Sequence, residues 1–371
     1  MAKIMGIVNL HHSIHLDSIT ERRSLASTAF LGRYCFIDFA ISNFTNSGIN
    51  EIGILIKEHS RSLFRHLGSG DSQWALNTKT GGIQLMYNEK YANNDKYNHD
   101  VNNLIENNWF LKQSNAEYVV IAPIHMVNII DYTKAVDEHI KSNADVTVIY
   151  KNVNNAKSEF IGCDYLTIDE NKRVTRFQEN LGSEDNRNIS LEIYIMKKTV
   201  LTDLLVKAKA TSAFFSLRDV LAYSASNLHI NSSEYLRYLR LVDSTRTYLD
   251  VSLELLNPEV SKEVFNPEWP IYTRTYDSAP VKYSAGTKIK SSFISNGAII
   301  KGTVENSILG RGVVVEEGAV VKNCVLFADA HVGKDCHLEY VIADKETEVK
   351  YNKNIKGTKE KPLVIREGDL V

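Results

Sequence analysis

Apolar runs alternate with amphipathic stretches from residue 4 to about residue 150, a pattern typical of a mainly parallel sheet covered by helices. Five apolar runs predict buried strands: KIMGIVNL, EIGILI, GIQLMY, EYVVIAP and DVTVIYKNV. In FIDFAISNFTNSG the apolar residues recur at helical spacing, and Gly48 stands where a C-terminal cap belongs. A second helix is predicted over DYTKAVDEHIKSN, with Asp131 as its N-cap and with these residues buried: Ala135, Val136, His139 and Ile140.

The pattern changes between residues 160 and 196, where CDYLTIDENKRVTRFQEN predicts a hairpin that turns at Asp169 to Lys172. Two-stranded insertions of this kind commonly form one wall of a ligand cleft. A further helix is predicted at about residues 244 to 256. The proline-containing stretch that follows it indicates a linker.

From about residue 284, short pairs of β-branched residues are separated by Gly, Asn, Asp or Lys. Aliphatic residues recur every six positions in two runs: Leu309, Val315 and Val321, then Leu326, Val332 and Leu338. This repeat is typical of a parallel β-helix, in which each short strand points one aliphatic side chain into a shared core. Because such a coil has an open end, we expect it to pack on another domain or subunit. The chain is thus predicted to contain an α/β domain over residues 1–255, a linker over 256–283 and a β-helix over 284–371.

Charge and cysteine content exclude several classes of protein. The 371 residues carry a formal charge of −2, with a pI of about 6.6, and offer no excess of positive charge to hold a nucleic acid. The apolar run in the first residues, MAKIMGIVNLHHS, is too short for a signal peptide or a membrane span. We therefore expect a cytoplasmic protein that does not bind membranes. The cysteines form no CxxC pair and are expected to be reduced core thiols: Cys35, Cys163, Cys324 and Cys336.

The turn after the first strand, LHHSIHL, contains three histidines and no glycine. A loop that cradles a phosphate needs glycine for close approach of the backbone. The turn is therefore either not a phosphate loop or one that has lost this function. His11, His12 and His15 are candidate metal ligands, but no cysteine or carboxylate accompanies them in the loop, so we expect no metal there.

Two stretches carry a family resemblance: GRYCFIDFAISNFTNSGI at residues 32–49 and GTVENSILGRGVVVEEGAVVKNCVL at residues 302–326. They resemble the sugar-1-phosphate nucleotidyltransferases and, more narrowly, ADP-glucose pyrophosphorylase (glucose-1-phosphate adenylyltransferase), which makes ADP-glucose from ATP and glucose 1-phosphate. The resemblance implies a Rossmann-like nucleotidyltransferase domain with a mostly parallel sheet. It also implies that the C-terminal coil is a left-handed parallel β-helix, a handedness that the spacing alone does not give.

Carried over position by position, the resemblance places unusual residues where the family has its catalytic groups. The GGxGxRL loop falls on LHHSIHL, with His15 at the phosphate-contacting arginine, and the lysine of RAKP falls on Leu25. The two aspartates that hold the catalytic Mg²⁺ fall on His125 and Leu241. A shift of two residues in the second alignment would bring Asp243 to that metal position instead.

The sugar-binding positions are altered as well. The lysine of FxEKP, which grips the glucose phosphate, falls on Asn180, while the preceding glutamate remains as Glu179. The turn SMGxY reads SLEIY, with Glu192 in place of the glycine beneath the sugar. Arg22 and Arg23 are either a solvated pair or the remnant of an effector site. Together with Glu179 they are the candidate remnants of substrate binding.

These replacements bear on catalysis because Mg²⁺ prefers oxygen ligands, and one imidazole and one leucine do not replace two carboxylates. The resemblance therefore implies a GlgD-type subunit, a catalytically deficient chain that regulates a catalytic paralogue in ADP-glucose and glycogen synthesis. Such a chain needs no cofactor of its own, and Mg²⁺ acts only in the catalytic partner. The implied assembly is a heterotetramer with that paralogue, and a homo-oligomer of this chain is the other assembly to consider.

Two other functions stay open at this point: a weakly active glucose-1-phosphate adenylyltransferase, and a free-standing sensor of sugar phosphates or nucleotides. His125 is either a general base or, as we favour, a polar residue that fills a vacated cleft. His331 and His337 invite comparison with hexapeptide acyltransferases, whose catalytic histidine lies between coils. The large N-terminal domain argues against that interpretation.

Overall fold

The computed structural model describes residues 2–12, 14–68, 74, 76, 81–211 and 215–371. The chain forms two compact units, and each unit is assembled from segments that are distant in sequence. The first unit contains Met1–Ser13, Phe39–Ser60 and Ser69–Leu241, and the second contains Ile14–Asp38, Arg61–Gly68 and Val242–Val371. The division into domains at residues 255 and 283 stays a prediction. The two units are made of several segments each and do not correspond to continuous stretches of chain.

Strands and helices up to residue 264 are numbered in chain order. The strands are β1 (Ile4–Asn9), β2 (Ala29–Phe30), β3 (Tyr34–Cys35), β4 (Glu51–Ile56), β5 (Gly82–Tyr87), β6 (Tyr118–Pro123), β7 (Met126–Asn128), β8 (Val146–Val153), β9 (Asp164–Ile168), β10 (Val174–Glu179), β11 (Arg187–Lys197), β12 (Ile230–Glu234) and β13 (Leu239–Leu241). The helices are α1 (Phe36–Asn46), α2 (Ser60–Leu67), α3 (Asp100–Glu106), α4 (Asn108–Gln113), α5 (Tyr132–Ser142), α6 (Lys198–Ala210), α7 (Leu217–Ser224), α8 (Thr245–Glu254) and α9 (Pro258–Val264).

A large sheet organises the first unit, and nine of its strands lie in the described residues. Its order is β10-β9-β11-β6-β1-β4-β5, with β8 paired to β11 and β12 paired to β8. β1 runs parallel to β4 and β6, while β11 runs antiparallel to β6 and β8. The five predicted strands and the mostly parallel α/β sheet are confirmed, as is the hairpin, whose two strands are β9 and β10.

The two predicted helices of the first half of the chain are also confirmed. Gly48, at φ +72°, follows α1, and the carboxylate of Asp131 accepts a hydrogen bond from Thr133 N at 3.0 Å at the start of α5. The predicted burial of Ile140 is wrong, since its side chain is 41% exposed. The buried stripe of α5 runs through Tyr132, Ala135, Val136 and His139, which leaves Ile140 at the edge of that face.

The C-terminal part of the second unit is a parallel β-helix of five coils, which confirms the six-residue repeat. Its strands are β14 (Lys282–Tyr283), β15 (Lys288–Lys290), β16 (Phe293–Ile294), β17 (Ile299–Ile300), β18 (Thr303–Glu305), β19 (Ile308–Leu309), β20 (Val314–Val315), β21 (Val320–Lys322), β22 (Val325–Leu326), β23 (His331–Val332), β24 (His337–Glu339), β25 (Val341–Ala343), β26 (Glu348–Val349), β27 (Asn354–Lys356) and β28 (Leu363–Ile365). Every third strand pairs in parallel, so the strands form three sheets of five. The six predicted repeat residues are all buried in one core.

A buried ion pair joins distant segments of the second unit. The guanidinium of Arg23 donates to Asp344 Oδ1 at 2.6 Å and to Glu367 Oε2 at 2.5 Å. The hydroxyl of Tyr248, in α8, donates to the carbonyl of Ala29 at 2.7 Å. Burial of a charged guanidinium is tolerated only when it is paired, so Arg23 and Asp344 depend on each other. Within the described ranges, none of the helices has the length and apolar character needed to cross a bilayer.

Candidate functional site

Three elements of the first unit bring polar side chains to one edge of the sheet. His12 follows β1 and His125 follows β6, and these strands are parallel neighbours, so both chains leave the sheet at the same edge. β11 runs antiparallel beside them, and its register against β8 shifts between Ser190 and Ile193. This bulge contains Glu192, which adopts φ +54°. A bulge redirects the side chain that it carries, and here that side chain is the carboxylate.

The three side chains form a compact cluster. His12 Nε2 contacts Glu192 Oε2, and His125 Nε2 lies 3.9 Å from Glu192 Oε1. The two imidazole rings are 4.4 Å apart between centroids and tilted by 41°. Glu192 and His125 are buried, while the His12 side chain is 32% exposed. The cluster therefore has one side that solvent reaches.

Protonation in the cluster follows from burial and from its single carboxylate. Burial lowers the pKa of His12, but the charge and hydrogen bond of Glu192 outweigh it, and the net pKa is raised. Burial raises the pKa of the Glu192 carboxyl group, but the charge and hydrogen bond of His12 outweigh this effect and lower that pKa to about 2. Burial, together with the nearby His12 charge, lowers the pKa of His125 to about 3. Glu192 thus favours the protonated form of His12, and His125 is a neutral imidazole at neutral pH.

A second buried carboxylate lies close to this cluster in the same unit. Asp100 accepts hydrogen bonds from Asn9 Nδ2 at 2.8 Å and from Leu217 N at 3.2 Å, and burial raises its pKa to about 6. A cavity of about 380 Å³ is lined by Asn9, His12, Lys57 and Asp100, among others. Sequence reasoning missed Asp100 and Glu192 as partners of the histidine loop, because nothing in their spacing shows that the fold brings them together.

Asn180 is fully committed to holding a loop. Its amide nitrogen donates to three backbone carbonyls, those of Ala156 at 2.7 Å, Phe160 at 3.0 Å and Glu159 at 3.3 Å. The side chain is buried and carries no charge. At the position where the resemblance implies a phosphate-gripping lysine, the structure has a neutral group whose donors point into the protein.

Leu241 lies at the end of β13, which pairs antiparallel with β7 so that Leu241 stands opposite Met126. Met126 directly follows His125, so the two positions implied for the metal aspartates are close neighbours. Asp243 belongs to the second unit, where its carboxylate accepts a hydrogen bond from Thr247 Oγ1 at 2.9 Å. The pairing of Leu241 beside His125 favours the alignment that makes Leu241 the second position.

The remaining predicted residues are placed as follows. His15, Leu25, Arg22 and Arg23 belong to the second unit. His15 and Arg22 are exposed, Leu25 is buried, and Arg23 is held in the ion pair described above. Glu179, at the end of β10, is exposed. The roles of Glu179 and Arg22 as remnants of substrate binding, and that of His15 as an altered catalytic position, stay predictions.

Two clusters among the described residues each unite three metal-ligating side chains: His12, His125 and Glu192 in the first unit, and Cys35, Asp38 and His66 in the second. In the second cluster, His66 Nε2 lies 2.6 Å from Asp38 Oδ1 and its Nδ1 lies 3.6 Å from Cys35 Sγ. Both nitrogens of that imidazole are thus occupied. In the first cluster, Nδ1 of His125 has no hydrogen-bond partner in the described residues.

Comparison with known proteins shows the family of the chain. The model of the nucleotidyl transferase family matches residues 15–228, and the model of the GlmU-like C-terminal hexapeptide matches residues 280–361. The chain is 30% identical to the glycogen biosynthesis protein GlgD of Bacillus subtilis (strain 168), over 99% of this chain and 96% of that protein. It is 33% identical to GlgD of Geobacillus stearothermophilus, over 99% and 97% of the two chains.

Glucose-1-phosphate adenylyltransferases are similar as well. The enzyme of Lachnospira eligens is 31% identical over 81% of this chain and 71% of its own length, and that of Fervidobacterium nodosum is 28% identical over 94% and 85%. The α/β sheet, the β-helix of hexapeptide repeats and these full-length similarities lead to one assignment. The chain belongs to the nucleotidyltransferase family that contains the GlgD proteins and the glucose-1-phosphate adenylyltransferases.

Proposed function

We propose that this protein is a regulatory, catalytically deficient subunit of glucose-1-phosphate adenylyltransferase, and that it modulates a catalytic paralogue in ADP-glucose and glycogen biosynthesis. The names of the GlgD relatives support the pathway. One observation carries the catalytic part of the proposal. At the two positions implied for Mg²⁺ ligands, the structure has His125, a buried neutral imidazole, and Leu241, a buried aliphatic side chain.

Nucleotidyl transfer depends on groups that align the phosphates and neutralise their charge. Neither an imidazole nor a leucine supplies the oxygen ligands that Mg²⁺ prefers. Asn180 offers no positive charge to a sugar phosphate, because its donors are bound to backbone carbonyls. Losing one such group costs about 10²- to 10³-fold in rate, and several losses together are not simply multiplied. The combination supports a chain that turns over substrate far more slowly than a working enzyme.

The regulatory part rests on what the chain retains. Its sheet and its β-helix core are complete, so the fold is kept while the catalytic positions are not. A chain of this kind acts on a distant active site only through coupling between subunits, which is typically about 1 to 3 kcal/mol, or 5- to 150-fold in affinity. The proposed assembly is a heterotetramer with the catalytic paralogue in the cytoplasm, with Mg²⁺ bound in the partner only.

The test combines an assembly measurement with an activity measurement. The purified chain and the catalytic paralogue from the same organism are mixed, with and without ATP and glucose 1-phosphate, and followed by mass photometry and by initial rates of ADP-glucose synthesis. We expect a hetero-oligomer, a change in the partner's rate or effector response, and tighter association when the partner's substrates are present. Failure to co-assemble, or assembly with unchanged kinetics, would favour the free-standing sensor.

The isolated chain provides the control for the catalytic half. We expect little or no Mg²⁺-dependent ADP-glucose formation from the chain alone, and no substantial recovery in His125→Asp, since Leu241 and Asn180 remain. A turnover near about 10 s⁻¹, the median for enzymes, would show instead that the protein is an active adenylyltransferase.

A further inference from the structure

We infer that His12, His125 and Glu192 form a binding site for one divalent transition-metal ion of the Zn²⁺, Co²⁺ or Mn²⁺ class. The inference concerns this chain's own residues and is independent of the regulatory role. It also differs from the Mg²⁺ chemistry of nucleotidyl transfer, because it uses two imidazole nitrogens and one carboxylate. It goes against the expectation from the loop sequence, which lacked a carboxylate. The fold supplies that carboxylate from β11.

The ligand atoms already surround a common point. The candidate donor atoms of the three residues all lie within 4.8 Å of one another. Around a tetrahedral ion with bonds of about 2.0 to 2.1 Å, neighbouring donors are about 3.3 Å apart. The His12 to Glu192 contact is closer than this, and His125 Nε2 is 3.9 Å from Glu192 Oε1. Donor atoms that lie within 4.8 Å of one another would reach this spacing through shifts of at most about 1.5 Å.

The backbone at Glu192 indicates a residue that is kept for its side chain. A φ of +54° is unfavourable for any residue with a Cβ, and a glycine would occupy it without strain. The position nevertheless carries a glutamate whose carboxylate is buried. Strained positions of this kind concentrate at functional sites, because the surrounding structure must hold them in place. The strain and the bulge together aim one carboxylate at two imidazoles.

His125 has unused bonding capacity at this point. Its Nδ1 is buried with no hydrogen-bond partner in the described residues, and its Nε2 is too far from Glu192 for a hydrogen bond. A metal–nitrogen bond at Nε2 would use the ring nitrogen that faces Glu192 without making a hydrogen bond to it, and would leave Nδ1 as it is.

The site is accessible to an ion from solvent, and its donor atoms favour particular metals. His12 is partly exposed and lines the cavity of about 380 Å³, which gives an entry path. Imidazole suits Zn²⁺, Co²⁺ and related ions, whereas Mg²⁺ and Ca²⁺ prefer oxygen ligands. Metal binding would displace the proton that His12 shares with Glu192, so the measurement belongs above neutral pH.

The test uses the full-length chain after removal of bound metals with EDTA and dialysis. Co²⁺ is titrated at pH 7.5 to 8, and its visible absorption reports on nitrogen and oxygen coordination. We expect saturation at one ion per chain, displacement by Zn²⁺, and no displacement by a large excess of Mg²⁺. Absence of a saturable Co²⁺ signal in the wild-type chain would overturn the proposal and leave the cluster as a buried ion pair.

Two variants and one control locate the ion. Glu192→Gly removes the carboxylate and relieves the positive φ, and His125→Gln removes one imidazole without introducing a charge. Each variant is expected to weaken Co²⁺ binding by more than about 10-fold. Loss of a residue that only hydrogen-bonds to a metal ligand already costs about 10-fold in affinity, and these variants remove a ligand itself. His331→Gln is the matched control, since His331 also lies between carboxylates, those of Glu316 and Glu348. Circular dichroism of the metal-free variants checks that they fold.

The control separates the outcomes. If His331→Gln abolishes the signal and the other two variants retain it, the ion binds on the β-helix and the proposal is wrong. If both Glu192→Gly and His125→Gln fold and bind as the wild type does, the proposal is equally overturned. If one variant fails to fold, the other variant and the wild-type displacement series still decide.

Discussion

At the scale of single residues, Asn180 shows how one buried, neutral side chain can hold a loop in place. Its amide holds the backbone between residues 156 and 160, and its oxygen accepts a hydrogen bond from Gly182 N at 3.1 Å. The local packing thus depends on a neutral side chain at this position. A charged side chain here would disturb the fold.

We expect Asn180→Lys to lower the free energy of unfolding by about 2 to 4 kcal/mol, because it buries an ammonium group and leaves three carbonyls unsatisfied. Glu179→Lys is the matched control, since the neighbouring side chain is exposed and its replacement should cost less than about 0.5 kcal/mol. Urea unfolding of both variants, followed by circular dichroism, measures the difference. Equal midpoints would mean that the amide of Asn180 contributes little.

Residue identity alone predicts part of the candidate site. Motif spacing was enough to select His125 and Asn180 as candidate site residues, and the structure shows that both side chains are buried. The partnership of His12 with Glu192 was not available, because it depends on a register shift between β11 and β8 that no local pattern records. The same holds for Asp100, whose partners Asn9 and Leu217 lie far from it along the chain.

At the scale of elements, the β-helix was predictable because each short strand contributes one side chain to the core at a fixed interval. β7 and β13 were missed, since strands of three residues show no periodicity. Ile140 was assigned to the wrong face because a helix face that is read from sequence has no sharp edge. Elements with many repeated positions are thus predicted well, and short or peripheral ones are not.

In the β-helix, Val321 is fully buried, whereas the next residue, Lys322, is exposed. Val321→Asp should therefore place an unpaired charge in the core and cost about 3 kcal/mol or more in unfolding free energy. Lys322→Gln, on the outer side of the same strand, should leave stability nearly unchanged. Thermal unfolding and size-exclusion chromatography test the pair. A soluble Val321→Asp with unchanged elution volume and midpoint would contradict the observed phase of the repeat.

At the scale of the whole molecule, pH acts on stability through buried histidines. Burial lowers the pKa of His139 to about 4, and its Nδ1 lies 2.8 Å from Thr147 Oγ1. An unfolded histidine titrates near about 6.5, so the unfolded chain binds the extra proton between these values. The contribution of His139 to stability is therefore present above about pH 6.5 and is lost as the pH falls towards 4.

His139→Gln should flatten this dependence, because glutamine keeps a polar contact with Thr147 but does not titrate. The measurement is the unfolding free energy at several pH values between 4 and 7.5, for the wild type and the variant. We expect the difference between them to shift in favour of the variant as the pH is lowered. His15→Gln, at an exposed position, is the control, and a parallel pH profile for all three proteins would rule out the role of His139.

Membership of the second unit is a property that no local pattern records. Residues 14–38 and 61–68 belong with residues 242–371, and their contacts join positions that are far apart in sequence. The Arg23 ion pair is the clearest case, since the sequence around Arg23 gives no sign of its carboxylate partners. Sequence periodicity reports on elements, whereas the assembly of distant elements depends on the complete fold.

The two partners of that ion pair are synthesised at different times. Arg23 and Asp344 are 321 positions apart, which a ribosome that adds about 5 to 20 residues per second covers in roughly 15 to 65 s. During that interval the arginine has been made and its carboxylate has not. The ion pair can therefore form only after Asp344, which directly follows β25, has been synthesised. Chains that are released before Asp344 would lack the buried carboxylate that pairs with Arg23.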